Sequence, residues 1–531
     1  MAQNATVASN GFLSFFVDDF KQSPTSYLAV LGLLVSAIFL HKLASPQIDG
    51  REPPVLKSSI PVIGHLIGLM KHQGGYLKIL YDTTRRQIAT LPILNGKLYI
   101  IFDPSIVQSA YRNKKLCFEP FAVEFAQREL AITNETFRIV RETDLVPEFF
   151  ACIPPAMSGA YLHRMNANAL NYISKQLEII GSGGKPLHVP NLFLWVRELM
   201  TMATTEAMYG PENPIREDPS LQDDLWAFEA GMPVLLMNIF PSITARSAYK
   251  ARARLQAALG KFYGARKDHH EDAAQIVKNR AGVLRRYGIS DVEVGHFELA
   301  LLHVATANTI PTLFWFMAQI FTRPDLVQRL REEVLPAIER GDQNEVIIDI
   351  TTLDQKCPLL VSCYREAIRL SNQAVGNRRI LEDTTITDSK GNSYLLKKGM
   401  NIQMSAEVLH TMTDVWGQNV HDFDPERFIE KGSKESSQAE KTKRASFVPF
   451  GGGRHLCPGR NFAFAENLGF VASLLLGFEI SSEHSSAFEV PPMQKCGFSE
   501  AAGKPVKFGE GFGAQIRKRE GWESTKWSFV C

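Results

Sequence analysis

Apolar residues recur every third or fourth position over 160–180, 192–208, 250–286 and 463–476, the spacing that lays one apolar face along a helix. Runs with a period of two are few and short, 98–102 being the clearest, so the pattern predicts a mainly α body with a small β portion. Two stretches depart from this pattern because they carry no charge at all. The first, YLAVLGLLVSAIFL at 27–40, extends with weak interruption over 26–43, long enough to span a bilayer. Asp18 and Asp19 precede it and no small-residue cleavage site follows, so it reads as a retained anchor rather than a secretory signal. Lys42, Arg51 and Lys57 lie just beyond, and the positive-inside rule then puts the rest of the chain in the cytosol. Pro46, Pro53, Pro54 and Pro61 follow, where no helix can continue. The expected organisation is a lumenal segment at 1–25, a single-pass anchor at 26–43 in the endoplasmic reticulum membrane, a stiff hinge at 44–65 and one large domain at 66–531.

The second charge-free stretch, 299–321, also has the length of a membrane span, yet His303, Thr306, Asn308, Thr309 and Thr312 cluster at its middle beside Pro311. Polar groups there, with a proline that breaks the backbone ladder, suit a helix crossing the core of a large domain where chemistry needs them. Residues 232–243, MPVLLMNIFPSI, read as a greasy surface loop or short helix, either a second membrane contact or buried core. Residues 430–444, EKGSKESSQAEKTKR, read as a solvated loop.

Composition removes some functions. Fifty-eight Lys and Arg against 56 Asp and Glu leave a formal charge of +2, too little for a partner of nucleic acid. The seven cysteines (Cys117, Cys152, Cys357, Cys363, Cys457, Cys496 and Cys531) are odd in number and contain no CxxC pair, which points to reduced thiols rather than a disulfide framework.

The sharpest motif is FVPFGGGRHLCPGR at 447–460. Gly451, Gly452 and Gly453 let the backbone fold tightly and approach something flat, and Gly459 is expected to do the same beyond Cys457. Pro458 suits a first helical position, which would put Cys457 at a helix start where free N–H groups and the dipole favour a thiolate. These residues resemble the haem loop of the cytochrome P450 superfamily, F-x-x-G-x-x-x-C-x-G, met by Phe450, Gly453, Cys457 and Gly459. The resemblance implies the cytochrome P450 fold, a triangular helical body with haem b (iron protoporphyrin IX) between a long central helix and the cysteine loop. Cys457 is then the axial ligand of the haem iron, with Phe450 packed beside its sulfur. Arg454, His455 and Arg378 are the candidates to meet the propionates, with Arg379 competing with Arg378.

Other elements of the family follow in order. Glu366 and Arg369 resemble its E-x-x-R pair and Pro425 to Phe428 its P-E-R-F element, which implies a buried ionic network of Glu366, Arg369 and Arg427 that holds the fold. The sequence ATANT at 305–309 aligns with the oxygen-activation motif A/G-G-x-D/E-T. Thr306 replaces the usual glycine and Asn308 the acid that helps relay protons, while Thr309 is retained. Thr309 and Asn308 are therefore the implied catalytic residues, with protons arriving through water or Asn308 and with more uncoupled turnover expected. The form ANTIP followed by FW resembles the branch of sterol 7α- and 12α-hydroxylases and prostacyclin synthase, with its fungal relatives. The family helix with W-x-x-x-R has no tryptophan here, and its counterpart is expected in GAYLHRMNANAL at 159–170, with His163 or Arg164 at the haem edge. Phe118, Phe121, Ala374 and Val375 occupy places that line the family's substrate pocket.

Taken together, the resemblance implies a monooxygenase that oxidises a lipophilic substrate with dioxygen. A terpenoid, meroterpenoid or sterol in specialised-metabolite biosynthesis is expected. Electrons would come from NADPH through a separate NADPH-cytochrome P450 reductase, because no flavin or nicotinamide module is visible and GEGFG at 509–513 is too short for a dinucleotide fingerprint. The main alternative is a haem-thiolate isomerase or dehydratase acting on a lipid peroxide without a reductase, which has no use for Thr309. A haem-binding sensor or carrier without turnover is a third reading.

Overall fold

The hairpin of β1 (Ile88–Ile93) and β2 (Gly96–Ile101) forms where two apolar runs flank a tight turn at Leu94 and Asn95. It opens a five-stranded sheet completed by β3 (Leu116–Cys117), β4 (Val375–Ile380) and β5 (Asn401–Ser405), in the order β1-β2-β5-β4-β3. Only β2 and β5 run parallel, and Cys117 of β3 pairs with Arg379 of β4. The computed structural model describes residues 28–29, 31–32, 35–36, 46–58, 60, 63–181, 184–430, 437–483, 488–497, 500–510 and 512–531. The lumenal segment, most of the expected 26–43 anchor, and Pro61 of the hinge lie outside those residues.

The helices that bear on the site are, in chain order, α1 (Pro104–Arg112), α2 (Glu119–Leu130), α3 (Leu145–Ala151), α4 (Gly159–Ile179), α5 (Leu192–Tyr209), α6 (Leu221–Met237) and α7 (Arg246–Gly264). There follow α8 (Gln275–Arg286), α9 (Asp291–Thr306), α10 (Thr309–Phe321), α11 (Pro358–Ser371), α12 (Gln438–Ser446) and α13 (Arg460–Gly477). The body is thus mainly helical, and α4, α5 and α13 form where the helical period is clearest. One apolar core gathers α10, α11 and α13, a second gathers α6, α7 and α9, and a third lies against the five-stranded sheet.

Four stretches differ in detail from their periodicity. Residues 250–286 are two helices, because the connection between α7 and α8 buries Asp268, whose carboxylate takes Arg285 at 2.6 and 3.0 Å. In 232–243, α6 runs through Pro233 to Met237, and left-handed Asn238 and Phe240 then turn the chain. That tip is surface and not core, with Phe240 75% and Ile243 76% exposed. Residues 438–446 form the polar helix α12 rather than a loop, because Ser437 and Glu440 make a reciprocal capping box. The stretch 299–321 is a core element, with Phe314 and Phe316 fully buried, but it is broken. Ser290 caps α9, which ends at Thr306, and α10 begins at Thr309. Pro311 has no N–H to offer the Ala307 carbonyl, which is the physical reason for the break.

A buried ionic network ties α11 to the chain that leads into the cysteine loop. Glu366, fully buried, accepts from Arg369 at 2.6 and 2.7 Å and from Arg427 at 2.8 Å. Arg369 also donates to the His410 carbonyl at 2.6 Å, and Arg427 to the carbonyls of Trp416 at 2.6 Å and Asn419 at 3.0 Å. Removing the carboxylate would strand two buried guanidinium groups. Glu366→Gln is expected to cost about 3–5 kcal/mol of stability. Glu426→Gln, at an exposed residue paired only with Arg329, is expected to cost no more than about 1 kcal/mol. Guanidinium unfolding of the two purified variants checks the contrast.

Candidate functional site

The cysteine loop closes on itself, with Cys457 N–H donating to the Phe450 carbonyl at 3.0 Å and Leu456 N–H to the Gly453 carbonyl at 3.2 Å. Helix α13 begins at Arg460, two residues later than Pro458 suggests, because Gly459 takes the N-cap position. The free N–H groups of Gly459 and Arg460 therefore face the Cys457 sulfur. Burial raises the thiol pKa, and those two N–H groups, with the Arg460 charge, pull the other way. The loop thus favours a thiol until a cation takes the proton's place.

Gly451 and Gly453 sit at φ of 71° and 64°, where side chains are strained. A Cβ on Gly453 would lie 1.9 Å from the Tyr111 carbonyl oxygen, and one on Gly452 2.3 Å from the Tyr111 ring. The surface these glycines approach within the protein is therefore the end of α1. Gly459 differs from the expectation, with φ of −79° and room for a Cβ 3.9 Å from the Cys457 sulfur.

Beside the loop, Arg378 is 5% exposed and donates to the carbonyls of Asn377 at 2.8 Å and Gly452 at 3.3 Å. Its guanidinium lies 5.3 Å over the Tyr111 ring, and burial holds its pKa down. No carboxylate among the described residues pairs with it. Arg379, on the other face of β4, is committed to Glu124 at 2.7 Å and Asn401 at 2.5 Å. A buried cation lacking a counter-charge next to a half-buried thiol fits a macrocycle that brings both propionates and a metal. Of the two, Arg378 is the residue free to meet an anion.

Arg454 and His455 turn toward the start of α2. Arg454 donates to His455 Nε2 at 3.0 Å and to the Cys117 sulfur at 2.5 Å, and Phe118 N–H donates to the same His455 nitrogen at 3.4 Å. Nε2 is thus an acceptor, and burial with Arg378 and Arg454 holds the imidazole neutral, its pKa pushed down to about 4. Cys117, Glu119 and His455 bring three ligand atoms within 4.8 Å of one another, but the Arg454 guanidinium already reaches all three side chains, which does not suit a second metal.

The other wall comes from the central helix. Val304 is 61% exposed and Ala305, Asn308 and Thr309 partly so, on an element otherwise packed in the core, so these residues share a face on interior space. Thr306 folds its hydroxyl back onto the carbonyls of Leu302 at 2.9 Å and His303 at 3.2 Å. Thr309 Oγ1 is buried without a hydrogen-bond partner among the described residues. The Asn308 carbonyl oxygen is already taken, accepting from the N–H groups of Ala501 at 2.9 Å and Ala502 at 3.2 Å.

The family model described as Cytochrome P450 matches residues 230–504. A cytochrome P450 monooxygenase of Gibberella zeae is 42% identical over 505 residues, covering 94% of this chain and 96% of that protein. The chain belongs to the cytochrome P450 family. A rat (Rattus norvegicus) 25-hydroxycholesterol 7-alpha-hydroxylase is 29% identical over 267 residues, 49% of this chain and 63% of the relative. The retinoic-acid-bound cyanobacterial CYP120A1 has the same fold, with a TM-score of 0.65 at 18% identity over 89% of this chain and all of that one. The enzyme is therefore a P450 monooxygenase, and its family carries a haem-thiolate cofactor.

Within this P450 the remaining site candidates fall in different places. Phe118 packs edge-on to His455 at 6.1 Å, and Phe121 lies under the Arg379 guanidinium at 5.3 Å. Ala374 N–H is held by Asn372 at 3.2 Å and Val375 opens β4 opposite Ser405. The expected haem-edge role of His163 and Arg164 needs correction. Both are exposed on α4, and Arg164 pairs with Asp272 at 2.7 Å. Beside α1 and the start of α2, the cysteine loop is met by α3, whose Phe150 ring stands 6.2 Å from His455. Sequence reading missed Phe150 because its helix, seven residues with Pro147 inside, is too short to show an apolar period.

The two loop glycines separate by experiment. Gly453→Ala forces a Cβ into the Tyr111 backbone at a left-handed position and is expected to cost about 3 kcal/mol or more, with little haem-loaded protein recovered. Gly459→Ala meets only ordinary contact and is expected to fold, which circular dichroism and the haem absorbance of both variants check.

Proposed function

We propose that this P450 oxidises a polycyclic lipid, a sterol, terpenoid or meroterpenoid, at the cytosolic face of the endoplasmic reticulum membrane, with Cys457 as the iron ligand. Haem held by a thiolate supplies the activation of dioxygen, the thiolate pushing electron density that favours O–O cleavage. The chain's part is to bind and orient. Cys457 gives up its proton on metal binding, and the N–H groups of Gly459 and Arg460 then hold the sulfur's charge. Arg378 supplies the buried counter-charge for a propionate, with Arg454 at the rim. Val304 and Ala305 give the substrate an apolar wall, and Phe118, Phe121, Ala374 and Val375 are assigned to the same pocket.

The observation that carries the monooxygenase mechanism is the Thr309 hydroxyl, buried and unpaired on the interior face of the central helix. Inserting one oxygen atom and reducing the other to water consumes two protons and two electrons, and Thr309 Oγ1 is placed to pass protons from water to the reacting site. An isomerase that rearranges a peroxide needs neither. The electrons are assigned to NADPH by way of a membrane-bound P450 reductase. The rat relative named for a hydroxycholesterol supports a polycyclic substrate. The exposed apolar tip of Met237, Ile239, Phe240 and Ile243 supports a second bilayer contact beside the 26–43 anchor.

The dithionite-reduced, CO-bound protein is expected to show a strongly red-shifted Soret band that Cys457→Ser loses. With reductase and a sterol or terpenoid panel, NADPH consumption should yield hydroxylated product. Thr309→Ala should cut product formation by about 10²-fold, the low end for a positioned proton donor, while peroxide release rises. Conversion of a lipid peroxide at full rate without NADPH would overturn the monooxygenase reading in favour of the isomerase.

A further inference from the structure

Residues 500–504 have no helical or alternating pattern, yet each is fastened to something. Glu500 accepts from Gly497 N–H at 2.7 Å and from the Lys504 ammonium at 2.9 Å. The Ala501 carbonyl accepts from Gln373 N–H at 2.7 Å, and the N–H groups of Ala501 and Ala502 both go to Asn308 Oδ1. Gly503 N–H donates to the Ser371 carbonyl at 2.9 Å, and its own carbonyl accepts from the Trp315 indole at 2.5 Å. Lys504 ion-pairs with both carboxylate oxygens of Glu229 on α6, and its ammonium lies 5.8 Å from the Trp226 ring centre. Lys504 and Glu229 are 7% and 6% exposed, so this is a desolvated pair in the interior. Five residues thereby join α6, the break between α9 and α10, α10 itself, and the junction of α11 with β4.

We infer that residues 500–504 are a strap that couples helix α6 to the break in the central helix, and that Asn308 is a positioning residue on this strap rather than a proton relay. The inference rests on the monooxygenase reading for its catalytic meaning and on geometry for the rest. Two N–H donors can face only the carbonyl end of an amide, so the orientation of Asn308 is fixed by its partners. An amide so held has no proton to gain or lose in turnover. Its neighbours show what the clamp achieves. Thr306 and Thr312 each donate to the carbonyl four residues back, Leu302 at 2.9 Å and Asn308 at 2.8 Å. Thr309 has the same side chain at the same spacing but makes no such bond. Holding Asn308 to the strap holds the break open, and the break denies Thr309 the Ala305 carbonyl. Glu229 sits on α6, whose Phe228 ring packs 5.6 Å from His303 of α9, so α6 covers this stretch of the central helix. Moving α6 away would pull Lys504 from its partner and load the strap.

A double-mutant cycle on the haem-loaded protein tests this, with the CO spectrum confirming that each variant is folded. Amide hydrogen exchange is read over 304–312 and 500–504, and peroxide released per NADPH is read with the reductase present. Asn308→Ala should speed exchange at Ala501 and Ala502 by about tenfold and raise the peroxide ratio by about twofold. Asn308→Asp, which keeps an acceptor oxygen for both N–H groups, should return both readouts toward the parent. Lys504→Met, or Glu229→Gln if that variant folds poorly, should speed exchange over 304–312 although, among the described residues, the bonds of their side chains go to each other and to Glu500 and not to that segment. Added to Asn308→Ala, either should then change little more. Unchanged exchange over 304–312 in both Lys504→Met and Glu229→Gln would overturn the strap, and a peroxide ratio below the parent's in Asn308→Asp would restore the relay. Failure of the reductase to drive NADPH use would sink the monooxygenase reading alone, because the exchange cycle needs no turnover.

Discussion

One buried carboxylate, Glu366, organises the proximal half of this enzyme. Its two arginines draw in the backbone carbonyls of His410 and Trp416, which end two short helices, and of Asn419 beyond them. The order continues from there. The His410 ring is fully buried and held neutral, its pKa driven down to about 3 by burial and by Arg369, so its Nε2 can accept Val448 N–H at 3.1 Å. Asn372, just past α11, donates to the Pro449 carbonyl at 3.0 Å. The next residue is Phe450, whose carbonyl closes the loop around Cys457. The thiol is thus positioned by a relay of hydrogen bonds that starts at a charge no solvent reaches. A buried ionic group of this kind adds little net stability, but once present it cannot be dismantled piecemeal, which makes the loop's geometry all or none.

Among the described residues, three groups around the interior space lack their usual partner, and they differ in kind. Arg378 is a cation with no carboxylate, Thr309 is a hydroxyl with no acceptor, and Val304 is an exposed apolar side chain on a buried helix. Each alone would count as a defect, since native interiors pair their polar groups and bury their apolar ones. A flat cofactor with an apolar face, anionic edges and a reactive metal, together with a lipid substrate, answers all three at once. That agreement among unrelated deficits is a stronger argument for the site's chemistry than any one of them.

Legibility in the sequence followed the range of the interaction. The cysteine loop is a local device, in which fourteen consecutive residues make the bonds and carry the strained glycines, so it could be read directly. Glu366 and Arg369 lie one helical turn apart and were legible for the same reason. Arg378 and Arg379 were not separable, because neighbours in a strand point to opposite faces and only the pairing register says which face is inward. The division between α7 and α8 escaped notice because apolar periodicity continues on both sides of a connection fixed by a buried Asp268–Arg285 pair. The place of α3 was hidden because its seven residues, with Pro147 inside, are too few to show an apolar period, and the strap at 500–504 has no local pattern at all. Apart from near neighbours such as Gly497 and the Glu500–Lys504 pair, its partners lie 128 to 275 positions away, such as Gln373 and Glu229.

The three threonines of the central helix show why residue type alone does not assign the chemistry. They are the same side chain at the same spacing, and a regular helix would treat them alike, each folding its hydroxyl onto the preceding turn. Two of them do so. The third differs only because Pro311 withholds one N–H and Asn308 turns its amide outward, so that the turn behind Thr309 is not a helical turn. The free hydroxyl is therefore a product of backbone geometry, imposed by neighbours that do not themselves react. Thr306 is almost wholly buried and spends its hydroxyl on the Leu302 and His303 carbonyls, so it offers none to the interior space. The unpaired hydroxyl of Thr309 thus depends on the break, and the residues that hold the break become as decisive as the hydroxyl they leave without a partner.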